Sequence, residues 1–297
     1  MQISDNIRGA LLMMGSMVAF TVNDAFMKAL SDELPLFQAL LLRGFGTVIC
    51  LTVLCAAMGQ LQFNLGRRSW GLIALRTVAE VASAYFFLTA LYHMPLANVS
   101  AILQALPLTV SLAAAVFLGE ALGWRRLVAI LIGFAGVFLI IKPEAGGFSL
   151  YSLYALAAVA FVTLRDLVVR RMDHAVPSVL VGLVAALAVT VFAAVMCIGT
   201  PWVQVTWLAG WQVVGAMAAI MFGYVFSVTA MRHGEIGFVA QFRYASLVAA
   251  LILGWVVFDE WPAPLMLVGA GIVVATGLFT LYRERRFARR SMLGRLS

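Results

Sequence analysis

In this chain of 297 residues 64% are hydrophobic and 11% charged, with a mean hydropathy of +1.02. A water-soluble domain is excluded, since its apolar share is nearer ~45–50% and its charged share about 25%. The net charge of +7 does not point to nucleic acid, because six arginines (Arg283, Arg285, Arg286, Arg289, Arg290 and Arg295) crowd into a tail directly after an apolar run, as a juxtamembrane basic segment would.

A helix needs about 20 apolar residues to cross a bilayer, and ten such runs follow one another. The first, 8–30, begins almost at the N-terminus without a small-residue cleavage pattern, so no removable leader is expected. It carries Asp24 and Lys28 four residues apart, in the acid-first order that favours pairing on one helix face. The second run, 36–58, holds Arg43 and two of three cysteines, Cys50 and Cys55. With Cys197 these sit in apolar surroundings without C-x-x-C spacing and read as free thiols. The third, 70–92, places Arg76 four residues before Glu80 and then Tyr85, Phe86 and Phe87. In the fourth, 95–118, Pro107 removes a backbone donor, which predicts a kink and carbonyls open to a cavity. Gln104, nearer the middle than Asn98, has two readings, a contact to a bound solute or a hydrogen bond between helices.

The fifth run is 124–141 and the sixth 149–170, where Asp166 and Arg170 repeat the spacing of Asp24 and Lys28. Runs at 177–199 and 207–230 follow, the latter with Tyr224. The ninth, 237–257, carries Gln241, Arg243 and Tyr244 beside Ser246, and the tenth is 262–282. Trp70, Trp124, Trp202, Trp207 and Trp261 stand at run ends, as an interfacial aromatic belt requires. Gly133 with Gly136, and Gly269 with Gly271, are placed to let helices approach closely.

The chain repeats itself. Shifted by 140, the stretch from Thr89 to Glu120 falls on that from Thr229 to Glu260, matching Ala90 with Ala230, His93 with His233 and Val116 with Val256. Near the start of each half the shift is 142, pairing Asp24 with Asp166, Lys28 with Arg170 and Pro35 with Pro177. Five runs per half is an odd number, so the second copy enters the membrane from the opposite side. Charge agrees: Arg67, Arg68, Arg125 and Arg126 follow the second and fourth runs, whereas the corresponding later loops at 200–206 and 259–264 hold no Lys or Arg. With both termini cytoplasmic, fourteen arginines lie inside and Lys142 alone lies in an outside loop. The expected architecture is all-α and integral to the membrane, ten transmembrane helices as two inverted five-helix repeats, 1–142 and 143–282, with a basic tail at 283–297. Such repeats suit a transporter with a site near the midplane. Pro107 has Leu247 opposite it in the second copy, so a proline break is not to be assumed in the ninth run.

The run Ala90-Leu91-Tyr92, Pro95, Ala97, Leu103, Pro107-Leu108 and Phe117-Leu118-Gly119-Glu120, echoed by Ala230 and Phe258-Asp259-Glu260 and joined by Leu42-Arg43-Gly44-Phe45, resembles the signature of the drug/metabolite transporter superfamily, in its ten-helix EamA branch. The resemblance covers essentially the whole chain and, within that branch, extends to exporters of aromatic amino acids. It implies a carrier moving small metabolites outward across a bacterial inner membrane, with no cofactor and no ATPase subunit. Its partners are then a small-molecule substrate, an amino acid or related metabolite, and the membrane lipids. Cationic drugs are the alternative cargo.

Charge inside a bilayer costs roughly 2.5–3.5 kcal/mol per residue on insertion scales, so intramembrane ionisable groups are functional candidates. Asp24, Arg76, Glu80 and Arg243 are therefore the candidate charged ligands of a substrate, with Gln104, Gln241 and the freed carbonyl near Pro107 as polar ones. A guanidinium at Arg243 meets a carboxylate, or is held by helix carbonyls or another span. Tyr85, Tyr224 and Tyr244 combine an aromatic face with a hydroxyl that needs a partner in a dry setting. An enzyme is the competing class, and His93, His174 and His233 lie in or beside loops without H-E-x-x-H or G-x-S-x-G, while no G-x-x-x-x-G-K-[ST] loop supports an ATPase.

Overall fold

The computed structural model describes residues 5–61, 64–120, 123–141, 149–173, 176–233 and 239–293. Lys142 and His174, about which the sequence raised expectations, lie outside the described residues. The first half runs through α1 (Asp5–Ala29), a 3-10 turn (Leu30–Asp32), α2 (Leu36–Ala57), α3 (Arg67–His93), α4 (Leu96–Leu103), α5 (Leu106–Leu118) and α6 (Trp124–Ile141). The second runs through α7 (Leu150–Arg170), α8 (Ser178–Met196), α9 (Trp207–His233), a 3-10 turn (Ala240–Tyr244), α10 (Ala245–Phe258) and α11 (Pro264–Leu293). Nine stretches among the described residues are long and apolar enough to cross a membrane, α4 and α5 together forming one, and Pro264–Thr280 adds a shorter apolar helix.

Prolines set several of the starts. Pro35, Pro95 and Pro177 precede α2, α4 and α8 with ψ of 144°, 137° and 120°, because a proline has no N–H for the preceding turn and presets φ for the helix that follows. Large apolar side chains such as Phe45, Phe117, Phe138 and Phe222 point outward all round the bundle, as lipid demands. The tail differs from expectation: α11 does not stop near 282 but continues to Leu293, through Arg, Ala, Met and Leu, which are strong helix formers.

Helices pair across the halves, α1 with α9, α2 with α8, α3 with α7, α4 with α10 and α6 with α11. Exchanging the halves maps this set onto itself, the first span's pairing with the eighth becoming the sixth's with the third. Small residues permit the contacts. A Cβ on Gly136 would stand 2.9 Å from the Gly269 carbonyl oxygen, and one on Gly269 2.6 Å from that of Gly136, so α6 and α11 touch backbone to backbone. Gly271, expected to share this role, is exposed with nothing within 4 Å. Between α1 and α9, Phe20 lies on Gly223, Phe26 on Gly215 and Phe226 on Gly15.

The repeat recurs in backbone detail. Gln104, which closes α4, and Tyr244, which opens α10, are 140 residues apart and share φ −65° and ψ −11°. Gly119 and Asp259 end those helices in the left-handed region at φ 70° and 52°. The next residue's N–H then returns to a carbonyl, Glu120 to Ala114 at 3.3 Å and Glu260 to Gly254 at 2.9 Å. The ninth span is therefore interrupted without a proline, Leu247 standing where Pro107 stands in the fourth. Its break is a tightening to 3-10 geometry, secured by the Ser246 hydroxyl donating to the Arg243 carbonyl at 2.9 Å.

Candidate functional site

Charges from four spans converge where the halves meet. On α3, Arg76 Nη2 lies 3.1 Å from Glu80 Oε2, the pair expected from their spacing. Arg165 on α7 reaches the same carboxylate, its Nη1 standing 3.3 Å from Glu80 Oε1, while its Nε donates to Asp166 Oδ1 at 3.0 Å. Across the cluster, Arg43 Nη1 on α2 donates to Asn23 Oδ1 at 3.1 Å, and the Asn23 amide donates to Asp24 Oδ1 at 2.9 Å. Arg43 is also within electrostatic reach of Asp24, Tyr92, Tyr224 and Glu80, and Tyr224 within reach of Glu80, Arg165, Arg76 and Arg43. Three guanidinium groups thus share three carboxylates around Tyr224, whose ring meets Phe20 edge-on at 5.6 Å.

Some donors are left over. Arg43 Nε, Arg76 Nη1 and the Tyr92 hydroxyl are buried without a hydrogen-bond partner among the described residues, a condition rare enough in folded proteins to need an explanation at each position.

An aromatic wall flanks the charges on α3. Tyr85 stacks with Phe37 at 6.1 Å and meets Phe86 edge-on at 5.2 Å, and Phe86 stacks on Phe161 of α7 at 5.5 Å. A cavity of about 500 Å³ opens between α3 and α8, lined by Thr77, Val78, Val81, Ala82, Tyr85, Phe86, Ala188 and Phe192.

Two further ion pairs join the halves, and the repeat relates them. Lys28 Nζ lies 2.9 Å from Glu260 Oε1 and Arg170 Nη1 2.9 Å from Glu120 Oε1. In each case the base ending the first helix of one half holds the Glu closing the fourth span of the other. The Lys28 pair is tighter: Lys28 also donates to the Met94 carbonyl at 2.5 Å, lies over the Phe258 ring, and Glu260 Oε2 accepts from the Leu96 N–H at 2.8 Å. The Arg170 pair is about 40% exposed, at 39% and 41%, with Arg171 donating to the Phe117 carbonyl at 2.9 Å beside it. The expected Asp24–Lys28 and Asp166–Arg170 pairs on single helix faces do not form. An i,i+4 pair contributes only about 0.2–0.5 kcal/mol and yields to partners that satisfy several groups at once.

Of the candidates named from sequence, Asp24, Arg76, Glu80 and Tyr224 come together here, and Tyr85 lines the neighbouring wall. Gln104 instead donates its amide to the Ser246 hydroxyl at 2.8 Å, the interhelical alternative. Pro107 is absorbed into the first turn of α5, after the break rather than at it. Gln241 and Arg243 lie on the 3-10 turn before α10, with Arg243 exposed and showing no contact to the cluster among the described residues. The Tyr244 ring lies against Gly277, its hydroxyl buried and unpartnered. Missed in the candidate set were Arg43, Arg165, Tyr92, Glu120 and Glu260. Arg43 and Arg165 were marked by being charges inside apolar runs, and the two Glu by closing both copies of the repeat.

In comparison with known proteins, residues 7–142 match the model of the EamA-like transporter family. Over 292 residues the chain is 28% identical to the pseudopaline exporter CntI of Pseudomonas aeruginosa, covering 94% of this chain and 97% of that one. It is 28% identical to the riboflavin transporter of Vibrio cholerae, over 96% of both. To the S-adenosylmethionine uptake transporter of Rickettsia bellii it is 25% identical, over 91% and 92%. These relatives are transporters, not enzymes, and none of the three is named for an aromatic amino acid. A solved crystal structure sharing 19% identity superposes with a TM-score of 0.68 over 94% of this chain and 98% of its own, which shows the shared fold.

Proposed function

We propose that this membrane transporter of the EamA family is a secondary carrier that exports small amino-acid metabolites, aromatic or hydrophobic ones, across the bacterial inner membrane. The carrying observation is the cluster of Asp24, Arg43, Arg76, Glu80, Arg165 and Asp166, drawn from both halves and flanked by the Tyr85–Phe86 wall. A zwitterion with a planar side chain needs charged groups for its head and aromatic faces for its body. Among the cargoes of the relatives, S-adenosylmethionine joins an amino-acid head to a planar base, which supports a solute of this shape, and riboflavin carries a planar ring system, which supports its planar part. The exporter CntI supports the outward direction.

Cationic drugs fit the site less well, because each carboxylate of the cluster already holds a guanidinium or amide partner.

In this reading the two five-span units, 1–142 and 143–282, are inverted, both termini face the cytoplasm, and the halves rock about the cluster. The Lys28–Glu260 and Arg170–Glu120 pairs, both formed in this structure, then fasten opposite faces, and opening of either face breaks its own pair. Counterflow tests it: purified protein in liposomes preloaded with unlabelled phenylalanine should accumulate external labelled phenylalanine. Competition by aromatic amino acids but not by quaternary cations supports the reading. Competition by the cations alone replaces it with the drug-efflux alternative.

A further inference from the structure

Each carboxylate of the central cluster has a donor, whereas some donors of the cluster have no acceptor among the described residues. Glu80 holds Arg76 and Arg165, Asp166 holds Arg165, and Asp24 takes the Asn23 amide. Yet Arg43 Nε and the Tyr92 hydroxyl are buried without acceptors and lie within electrostatic reach of each other. Arg43 sits in the second turn of α2 and Tyr92 in the last turn of α3, so the two come from different helices and are not paired by sequence spacing. The bond from Arg43 Nη1 to Asn23 Oδ1 at 3.1 Å fixes the guanidinium while leaving Nε clear.

An anion is what such a group of donors lacks. One clear guanidinium N–H and one hydroxyl match the two oxygens of a carboxylate, held by charge-assisted hydrogen bonds. A phosphate would bring three oxygens and roughly 1.5–2 negative charges into a cluster whose three guanidinium groups are already balanced by three carboxylates. We infer that Arg43 and Tyr92 form a carboxylate subsite, and that the solute is selected by its carboxylate while its planar part lies toward Tyr85 and Phe86. The inference rests on the carrier reading above and names the group of the solute that the site recognises.

The test is counterflow of labelled phenylalanine by the full-length protein, competed in parallel by phenylalanine, by 3-phenylpropionate, which keeps the carboxylate and lacks the amine, and by phenylalaninamide, which lacks the carboxylate. A buried polar site discriminates strongly against an analogue lacking its partner, so phenylalaninamide should compete at least about tenfold more weakly than phenylalanine in the wild type. Arg43→Gln should bring the two competitors to near parity, and Arg43→Lys, which keeps the charge, should restore part of the preference. Tyr92→Phe removes one oxygen and keeps the ring, so it serves where Arg43→Gln does not fold; it should reduce the preference about threefold or more. Counterflow in which phenylalaninamide competes as well as phenylalanine, or in which both variants keep the wild-type ratio, overturns the subsite and leaves the carrier reading standing. Wild-type protein showing no counterflow with any amino acid overturns the carrier reading, and the subsite with it.

Discussion

Glu80 is a carboxylate serving two guanidinium groups, Arg76 at 3.1 Å and Arg165 at 3.3 Å, with its side chain 21% exposed. Glu80→Gln removes the charge and leaves Arg76 and Arg165 competing for an amide oxygen. Breaking a buried ion pair costs about 3–5 kcal/mol, and the residual exposure of this one argues for the lower end. Thermal unfolding in detergent should fall by several degrees and counterflow should be lost, with Glu80→Asp retaining more of both. An unchanged melting temperature in Glu80→Gln would mean that Asp166 alone compensates Arg165. The Arg76–Glu80 half of this arrangement was legible in the sequence because an α-helix places i and i+4 side by side. The Arg165 half was not, because its partner lies 85 positions away and only packing of α3 on α7 brings them together. The same limit explains Lys28 and Arg170. Each has an acid four residues before it, and each instead pairs with a Glu of the opposite half, a choice made by tertiary contact. Arg243 lies apart from the cluster for the converse reason: polar neighbours in sequence, Gln241, Tyr244 and Ser246, say nothing about which way a side chain on a 3-10 turn points.

Elements were easier to read than contacts. Proline starts, tryptophan ends and the 140-residue repeat place nearly every span, since each is a local consequence of backbone chemistry or of bilayer thickness. The interruption at Ala240–Tyr244 carries no proline and was invisible. It became apparent only as the counterpart of the break at Gln104, where both residues take the same φ and ψ. At the crossing of α6 and α11 the packing makes a direct demand. A side chain on Gly269 would meet the Gly136 carbonyl oxygen at 2.6 Å and the Ile140 backbone nitrogen at 3.0 Å, and neither can swing aside as a flexible side chain does. Gly269→Val should therefore destabilise by about 1–3 kcal/mol or force the helices apart, seen as a lower melting temperature. Gly271→Val, on the open side of the same helix with nothing within 4 Å, should change it little. Equal losses from the two substitutions would mean that α11 does not pack on α6 through Gly269.

The paired helices of the whole molecule map onto themselves when the halves are exchanged, and so do the Lys28–Glu260 and Arg170–Glu120 pairs, one tight and one half-exposed. Two equivalent fastenings of unequal strength are what a molecule with two alternative closures needs, since the same packing is then available in either sense and the difference sets which prevails. The first fastening has more bonds to lose: a backbone N–H, a backbone carbonyl and an aromatic ring all secure it. If the halves rock as rigid bodies, forcing one closure must favour opening of the other. With Cys50, Cys55 and Cys197 replaced by alanine, a bifunctional thiol reagent can join Lys28→Cys to Glu260→Cys, and a further cysteine at Met172, half-buried beside Arg170, reports on the opposite face. Coupling between distant sites typically amounts to 1–3 kcal/mol, so joining the first pair should raise the labelling rate at position 172 by roughly fivefold or more and arrest counterflow. A fixed pore also loses flux when one mouth is tied shut, but its other mouth has no reason to change. Arrested flux with an unaltered labelling rate at 172 would therefore assign the chain to a channel, whereas faster labelling requires a two-state carrier in which the faces open in alternation.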